Sequence, residues 1–216
     1  AYVETPNPSP WYNGQTYVNT LDKAAMERFI QVTYERYLET VGEDFGGRVP
    51  AIFTDEPQFP HKRTLNFAED KVDVVLPWSE DLPDTFASAY GEDLVEKLPE
   101  LFWELPEGVS TVRYHYHDHV CERFTQAFAD QCGSWCEEHG LMLTGHMMEE
   151  PTLHSQTAAI GDCMRSYRGF GIPGIDMSTG SLGQGFSTAC GMAAVAKRKG
   201  YDWKVYTALG DGEIEE

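Results

Sequence analysis

Two adjacent carboxylates, Asp55 and Glu56, follow a short apolar segment at residues 49–53 and stand immediately before Pro57. The glycines before this segment and the proline after it predict that residues 49–53 form a β-strand. A carboxylic acid at the end of a strand can act as a general acid, because it can give its proton to a leaving group. The alternative is that Asp55 or Glu56 only caps the segment that follows.

A second polar cluster follows another apolar segment, at residues 141–146. This segment is also predicted to be a strand. It ends in His146, and the carboxylates Glu149 and Glu150 come shortly after it. Because functional groups gather at the carboxyl ends of parallel strands, we expect Glu56 to lie near His146. Glu149 and Glu150 are then the candidates for a second carboxylate at this edge.

A third chemical pattern lies in the glycine-rich tail, which closes with Gly210, Asp211 and Gly212. An aspartate at a strand end can bind a divalent metal ion through its carboxylate, and such an ion can in turn bind a diphosphate group. The flanking glycines let a phosphate group approach the backbone closely. The alternative is a Gly/Ala-rich entry into a helix that binds no ligand.

The elements that must position these residues alternate between strands and helices. Five helices are predicted. Apolar residues recur at helical spacing in the first three, Gly91 predicts a break in the second, and the last is rich in small residues. Residues 171–177 and 204–209 are predicted to be further strands, whereas residues 58–81 show no usable period. The predicted helices span residues 22–46, 83–103, 112–139, 152–168 and 185–199.

Three histidines at alternate positions, His115, His117 and His119, lie within the longest predicted helix. Successive helical residues advance by about 100°, so His115 and His119 share one face while His117 points nearly opposite. Two of the three could therefore coordinate one metal ion. We favour the alternative, in which they are polar residues on the helix surface or between packed helices.

Composition narrows the classes of partner. With 216 residues, 41% of them hydrophobic, the chain can bury a core. Its net charge of -19 argues against nucleic acid or an anionic membrane surface as a partner, since both bind clusters of lysine and arginine.

Five cysteines without C-x-x-C spacing predict neither a disulfide framework nor a zinc site, and we expect reduced thiols in the cytoplasm. No apolar segment is long enough to span a bilayer.

The upstream part resembles a known enzyme family in three places. These are residues 17–21 (Tyr-Val-Asn-Thr-Leu), 53–57 (Phe-Thr-Asp-Glu-Pro) and 144–149 (Thr-Gly-His-Met-Met-Glu). Over residues 1–177 the chain resembles the middle of a (β/α)8 glycoside hydrolase, of the broad group that contains β-galactosidases and α-L-rhamnosidases. A closed barrel of this kind typically needs about 250 residues, so we expect only a partial one.

This resemblance implies a carbohydrate substrate, no cofactor, and hydrolysis of O-glycosyl bonds by two carboxylates. The sequence Asp55-Glu56-Pro57 resembles the Asn-Glu-Pro element that carries the acid/base glutamate after the fourth strand in that clan, although aspartate replaces the asparagine. Glu56 is thus the candidate acid, with Asp55 and His146 beside it. In that clan the second carboxylate comes from the seventh strand, where this chain departs from the pattern, so Glu149 is a substitute candidate.

The tail carries three further motifs in order. These are residues 178–185 (Ser-Thr-Gly-Ser-Leu-Gly-Gln-Gly), 190–194 (Cys-Gly-Met-Ala-Ala) and 205–213 (Val-Tyr-Thr-Ala-Leu-Gly-Asp-Gly-Glu). Over residues 173–216 they resemble the thiamine-diphosphate-binding N-terminal domain of transketolase. A single glycine-rich loop is weak support for a cofactor site, but three motifs in the family's order and spacing are specific.

The transketolase resemblance implies a cofactor site and, because the family forms oligomers, an oligomeric partner. Gly180 and Leu182 are implied to lie beside thiamine diphosphate. Asp211, flanked by Gly210 and Gly212, is implied to hold Mg²⁺. The family's second metal ligand, an asparagine, lies beyond the end of this chain. We therefore expect that the chain does not bind the cofactor tightly.

Together these features predict an α/β protein, in which a partial (β/α) TIM-barrel-like parallel sheet over residues 1–177 is followed by a transketolase-like βα tail over residues 178–216. We expect residues 205–209 to lie parallel to residues 52–54 in one sheet. The predicted function is that of a glycoside hydrolase fragment fused to a transketolase fragment. Two alternatives stand beside it, a thiamine-diphosphate-dependent transferase fragment and a chimeric chain with no activity of its own. The chain begins without methionine and stops within a motif, which predicts a fragment at both ends.

Overall fold

The computed structural model describes residues 1–174, 184–200, 202 and 204–207. The chain divides into two compact units, Ala1–Ile175 and Asp176–Glu216. The first unit combines helices with a small parallel sheet, so it has the α/β class that the sequence predicts. Among the described residues, no helix has both the length and the apolar character that crossing a membrane requires.

Three parallel strands form the sheet of the first unit, in the order β1–β2–β3. They are β1 (Ala51–Asp55), β2 (Met142–His146) and β3 (Ile172–Pro173). In the register of β1 and β2, Ala51 is opposite Met142 and Asp55 is opposite His146. The carboxyl ends of the two longer strands therefore lie side by side.

The strands differ from the predictions in extent. β1 begins at Ala51, because Pro50 has no N–H to give to a neighbouring strand. It continues to Asp55, beyond the predicted end at residue 53. The Pro50 carbonyl still accepts a hydrogen bond from the N–H of Met142 at 3.1 Å. Among the described residues β3 is confined to Ile172–Pro173, and residues 175–177 of the predicted strand lie outside them.

The two faces of the sheet differ in what covers them. On one face Leu143 is only 1% exposed. On the other face two apolar side chains are open to solvent, since Phe53 is 62% exposed and Ile172 is 42% exposed. Alternate residues of a strand point to the same face, so Asp55 and His146 lie on this open face with Phe53. The open face is the one on which a ligand or further strands can pack.

The helices of the first unit are shorter than their sequence patterns predict. Residues 22–46 contain two α-helices that meet at Thr33, whose φ of -118° and ψ of -69° depart from those of a regular helix. Its hydroxyl donates to the carbonyl of Phe29 at 2.6 Å, a contact that bends helices. Asp22 caps the first of them by accepting a hydrogen bond from the N–H of Ala24 at 2.8 Å. The helices are α1 (Lys23–Val32), α2 (Tyr34–Val41), α3 (Leu82–Tyr90), α4 (Thr111–Phe124), α5 (Gln131–Glu138), α6 (Leu153–Ala159) and α7 (Cys163–Tyr167).

Gly91 and Gly161 mark the ends of two helices in this unit. Gly91, at φ +70°, ends α3 as predicted, and a short 3₁₀ helix at Leu98–Leu101 takes the place of the expected remainder. Gly161, at φ +86°, separates α6 from α7, so the last predicted helix of the unit is in fact two. A Cβ on Gly161 would lie 2.5 Å from the Cβ of Cys121, so the chain passes too close for a side chain. α4 and α5 form one continuous helical run through a π-helical segment, Thr125–Asp130, which confirms the longest predicted helix.

The helical run from α4 to α5 contributes the largest continuous part of the buried core. Phe59 meets Phe124 of α4 edge-on, with ring centroids 5.7 Å apart. The hydroxyl of Tyr116 donates to the carbonyl of Pro77 at 2.5 Å. Phe59 and Pro77 belong to residues 58–81, which form no helix or strand, as predicted, yet cover α4. An irregular segment therefore completes the core.

The described part of the second unit contains the helix α8 (Gln184–Lys199), which confirms the helix predicted over residues 185–199. Gly200 follows it at φ +71°, in the left-handed region that commonly ends helices. The strand predicted over residues 204–209 is wrong for residues 204–207, which form no strand. An apolar pattern alone does not make a strand, since its backbone needs a neighbouring strand to bond with. Residues 208 and 209 lie outside the described residues.

The five cysteines are all free thiols, and four of them are buried. Burial raises the pKa of Cys121 and Cys136 to about 11 and that of Cys132 to about 12, and it also raises the pKa of Cys163. Because the thiolate is the reactive form, we expect a thiol reagent to modify the exposed Cys190 at least about tenfold faster than the buried four.

Absorbance of the chromophore released by the reagent should show one fast thiol per native chain and five thiols after denaturation. The Cys190→Ser variant should lose the fast phase and keep the slow one. Two or more fast thiols in the native chain would contradict the buried positions of the other four.

Candidate active site at the carboxyl edge of the sheet

The carboxyl ends of β1 and β2 bring Asp55 and His146 into contact. Each is the last residue of its strand, and the parallel register sets them opposite each other. Oδ1 of Asp55 lies 3.1 Å from Nε2 of His146, and the Asp55 side chain is 77% exposed whereas that of His146 is 24% exposed. A carboxylate at this position fixes a hydrogen on Nε2 and so orients the imidazole.

Glu56 lies next to His146 through its backbone and not through its side chain. Its N–H donates to the carbonyl oxygen of His146 at 3.2 Å. Its side chain is exposed and makes no hydrogen bond or ion pair with the described residues. The sequence predicts that Glu56 meets His146, but the carboxylate that meets the imidazole is that of Asp55. The reason is parity, because Asp55 is in register with His146 and shares its face, while Glu56 comes after the strand has ended.

Glu56 and Glu149 both have a backbone conformation that is unusual for glutamate. Their φ angles are +48° and +58°, and the other non-glycine residue with a positive φ among the described residues is Asn13. Asparagine tolerates the left-handed region because its short polar side chain can bond locally, whereas glutamate gains little there. Such conformations cost about 1–3 kcal/mol each and cluster at active sites and ligand-binding turns. The two candidate carboxylates therefore have strained backbones, Glu56 directly after β1 and Glu149 in the turn after β2.

The turn after β2 gives Glu149 and Glu150 different roles. Glu150 is buried, and its Oε1 accepts a hydrogen bond from the N–H of Met147 at 2.8 Å. Its carbonyl accepts a second from the side chain of Gln156 at 2.7 Å. Glu149 is exposed, and its carbonyl accepts a hydrogen bond from the hydroxyl of Ser155 at 2.9 Å. Glu150 thus helps to fix the turn, and Glu149 is the member of the pair that faces solvent.

Two further features of this edge are missed by the sequence analysis. The ring of Phe53 meets that of His146 edge-on, with centroids 5.8 Å apart. Nδ1 of His146 is buried and has no hydrogen-bond partner in the described part of the chain. The sequence does carry a signal for the first feature, because Phe53 and Asp55 share one face of their strand. An aromatic surface beside exposed carboxylates suits a ligand that has both an apolar and a hydroxyl-bearing face.

The two histidines that share a face of α4 pack against α3. Nδ1 of His115 lies 2.9 Å from Oε2 of Glu92, and the His115 ring stacks on Tyr90 with centroids 4.4 Å apart. Nε2 of His119 lies 3.0 Å from the hydroxyl of Thr85, and burial lowers the pKa of His119. Within the described ranges no group of three or more potential metal-binding side chains is found. The contacts with Tyr90, Glu92 and Thr85 show that His115 and His119 pack between helices.

The residues predicted to bind thiamine diphosphate and Mg²⁺ lie outside the described residues. They are Gly180, Leu182, Gly210, Asp211 and Gly212. The helix α8 and residues 204–207, which are described, contain none of them. The cofactor site, and the metal ion at Asp211, therefore stay predictions from the sequence.

Comparison with known proteins gives short matches to transketolases, and no protein-family model matches the chain. Identity is 56% over 43 residues to a 6-deoxy-6-sulfo-D-fructose transketolase subunit of Clostridium sp. (strain MSTE9) and 49% over 45 residues to an apulose-4-phosphate transketolase subunit of Phocaeicola vulgatus. It is 52% over 44 residues to the transketolase of Homo sapiens. These matches cover 20%, 21% and 19% of this chain, and the chain spans only 16%, 16% and 7% of the length of these relatives.

A solved structure, that of a rhamnosidase from Novosphingobium sp. PP1Y, is similar to this chain in fold. The TM-score is 0.53, and the match covers 84% of this chain and 16% of the rhamnosidase. Sequence identity over the match is 16%, so the likeness is one of fold alone.

Proposed function

We propose that the first unit contributes one edge of the active site of a glycoside hydrolase with a (β/α) barrel fold. The observation that carries this proposal is the pair of left-handed glutamates, Glu56 and Glu149, after adjacent parallel strands. Catalytic residues of barrel enzymes lie at this end of the strands. O-glycosides are the proposed substrate class, since the chain is similar in fold to a rhamnosidase.

The open face of the sheet supports the barrel interpretation. In a closed barrel, alternate residues of each strand point inward and are covered by the other strands. Phe53 and Ile172 are apolar and exposed, and they lie on the same face as Asp55 and His146. If this face is the interior of a barrel, further strands bury these apolar side chains and the Asp55–His146 pair points towards the barrel axis.

The proposed chemistry gives the carboxylates different roles. Glycoside hydrolysis requires one protonated carboxyl group that assists the leaving group and one ionised carboxylate on the other side of the scissile bond. Glu56 is the proposed acid, because its side chain has no partner among the described residues whereas Asp55 is committed to His146. Glu149 is the proposed ionised carboxylate. Asp55, which is exposed and held by His146, is the proposed partner for a sugar hydroxyl group.

Hydrolysis of aryl glycosides tests this proposal. Aryl α-L-rhamnosides are the first substrates and aryl β-galactosides the second, with release of the phenol followed by absorbance. Both this chain and the longest protein that contains it are assayed, since one edge of a site is expected to be inactive alone. Turnover that is lost in the Glu56→Gln variant supports the proposal. A folded longer protein that hydrolyses no glycoside contradicts it.

The tail supports a second candidate function, that of a thiamine-diphosphate-dependent transferase. We attribute the transketolase matches to the motifs over residues 173–216. In this proposal Gly180 and Leu182 lie beside the cofactor and Asp211 holds Mg²⁺. The cofactor, when bound, supplies a carbanion that the protein alone cannot form. The two parts of the chain would then derive from different enzymes joined in one polypeptide.

This chain is expected not to bind thiamine diphosphate tightly. Mg²⁺ requires a nearly octahedral set of oxygen ligands, and Asp211 is the one metal-binding side chain implied for the tail within this sequence. Calorimetric titration with thiamine diphosphate and Mg²⁺ should give a Kd weaker than about 1 µM, which corresponds to about -8 kcal/mol. Asp211→Asn is the control variant. Micromolar or tighter binding that this variant abolishes would contradict the expectation.

A further inference from the structure

Three nitrogen-bearing side chains, Lys62, Arg113 and His117, form a cluster that neither proposed function uses. Nζ of Lys62 lies 3.4 Å from Nε2 of His117. Arg113 precedes His117 by four residues in α4, so the two side chains share one face of the helix, one turn apart. All three residues are half-buried. We call these three residues the Lys62 cluster.

No carboxylate among the described residues neutralises the Lys62 cluster. Neither Lys62 nor Arg113 forms an ion pair there, although the chain has 35 acidic residues against 16 lysines and arginines. For comparison, the half-buried Arg123 lies 2.7 Å from a carboxylate oxygen of Asp81. In so acidic a chain, grouped cations without a carboxylate leave a local positive potential that a bound anion can neutralise.

Backbone contacts hold the cluster in place. Nε of Arg113 donates to the carbonyl of Glu100 at 3.2 Å, and its Nη2 donates to that of Trp103 at 2.8 Å. Nη1 of Arg113 has no partner within the described part of the chain. The backbone N–H of Lys62 donates to the carbonyl of Ala158 at 2.8 Å. A ligand therefore meets donors that are already ordered, which lowers the entropic cost of binding.

The electrostatics of the Lys62 cluster also favour an anion. Burial, followed by the charge of Arg113, lowers the pKa of Lys62. Burial, followed by the charges of Lys62 and Arg113, lowers the pKa of His117 to about 4. At pH 7 His117 is thus neutral, and its Nε2 accepts a hydrogen bond from the Lys62 ammonium group. Burial and the neighbouring positive charges destabilise the charged forms of Lys62 and His117, and a negative charge bound in the cluster stabilises those forms.

We propose that Lys62, Arg113 and His117 form a binding site for a small tetrahedral oxyanion such as inorganic phosphate. The Lys62 ammonium group and Nη1 of Arg113 donate charge-assisted hydrogen bonds to the oxyanion. The bound negative charge favours protonation of His117, and the imidazolium has a donor on each ring nitrogen. The site depends neither on glycoside hydrolysis nor on thiamine diphosphate.

Titration of the His117 imidazole by NMR spectroscopy in the full chain tests this site. The pKa of His117 is measured in inorganic phosphate and in chloride at matched ionic strength. Phosphate should raise that pKa by at least about 1, since an opposite charge within about 4–6 Å shifts a pKa by this amount or more. Sulfate should have a similar effect. A pKa of His117 that is the same in phosphate and in chloride overturns the proposal.

Two lysine variants distinguish a specific site from general attraction to positive charge. Lys62→Met should weaken phosphate binding at least about tenfold, because it removes one charged donor. Lys71→Met removes the same charge from an exposed lysine in the same irregular segment and should leave the affinity unchanged. Equal effects of the two variants, with folding verified by circular dichroism, overturn the proposal.

A third variant keeps the proposal testable if Lys62→Met does not fold. His117→Gln retains both cations and removes the titrating imidazole. The parent chain should bind sulfate more tightly as the pH falls from 7 towards 4, and His117→Gln should lose this dependence. Sulfate is the probe here because it does not titrate in this range. The same pH dependence in both proteins overturns the role of His117 and, with it, the site.

Discussion

The Glu56→Gln variant of an active protein that carries this sequence is expected to hydrolyse glycosides with poor leaving groups about 10²–10⁴-fold more slowly than the parent. Glutamine keeps the size of the side chain but cannot give a proton to the departing oxygen. The loss should be smallest for phenols acidic enough to leave without assistance. A plot of kcat/KM against leaving-group pKa for a series of aryl glycosides measures this effect, and the variant should show a steeper slope.

Asp55→Asn and Glu149→Gln are the matched controls for this experiment. Asp55→Asn weakens the contact with His146 but leaves the proposed proton donor intact, so it should lower kcat/KM by a similar factor for all leaving groups. Glu149→Gln should also slow good and poor leaving groups alike, because an ionised carboxylate acts on the sugar and not on the departing oxygen. A steeper slope in either control, and not in Glu56→Gln, would show that the acid is another residue.

The Gly145→Ala variant is expected to lose about 2–6 kcal/mol of the free energy of unfolding. A Cβ on Gly145 of β2 would collide with the carbonyl oxygen of Thr54 in β1 and would lie 2.8 Å from the Thr54 nitrogen. Gly145 also has a φ of +131°, which side chains rarely adopt. Backbone strain and overpacking each contribute about 1–3 kcal/mol. Urea unfolding followed by circular dichroism measures the loss.

Gly108→Ala separates these two contributions. Gly108 has a similar φ of +119°, but no atom lies within 4 Å of the added Cβ, so this variant should lose only the strain of about 1–3 kcal/mol. Equal losses in both variants would show that β1 and β2 can separate without cost. Because Gly145 precedes His146, its variant should also disturb the contact between His146 and Asp55 and so reduce any glycosidase activity.

Local sequence patterns predict most of the elements that carry the candidate site. An apolar segment before polar residues predicts both β1 and β2, because strand period and strand boundaries are properties of neighbouring residues. The helical spacing over residues 112–139 likewise predicts the run from α4 to α5. Interruptions are harder to predict, since two helices meet at Thr33 without a glycine or proline there, and Gly161 separates two helices where the chain passes close to Cys121.

The prediction fails for residues 204–207 for a related reason. Their apolar pattern is the same as that of a strand, but a strand forms only when another strand bonds to its backbone. A pattern along the chain carries no information about whether such a partner is present. Whether further strands extend the sheet into a barrel likewise depends on segments distant in the chain, and not on the pattern within β1 and β2.

The residue types at the carboxyl edge, two glutamates, an aspartate and a histidine, are evident from the sequence, but their contacts are set by long-range packing. Asp55 and not Glu56 meets His146, because two strands far apart in the chain pair in a register that no local pattern encodes. The left-handed backbone of Glu56 and Glu149 depends on the surrounding structure, because glutamate itself has no preference for it. The contact of Lys62 with His117 likewise joins an irregular segment to a helix. Neighbouring residues determine the hydrophobic period and the composition of each segment. Strand pairing, side-chain burial and the proximity of charges arise only when distant segments pack together, because that packing decides which groups are removed from water.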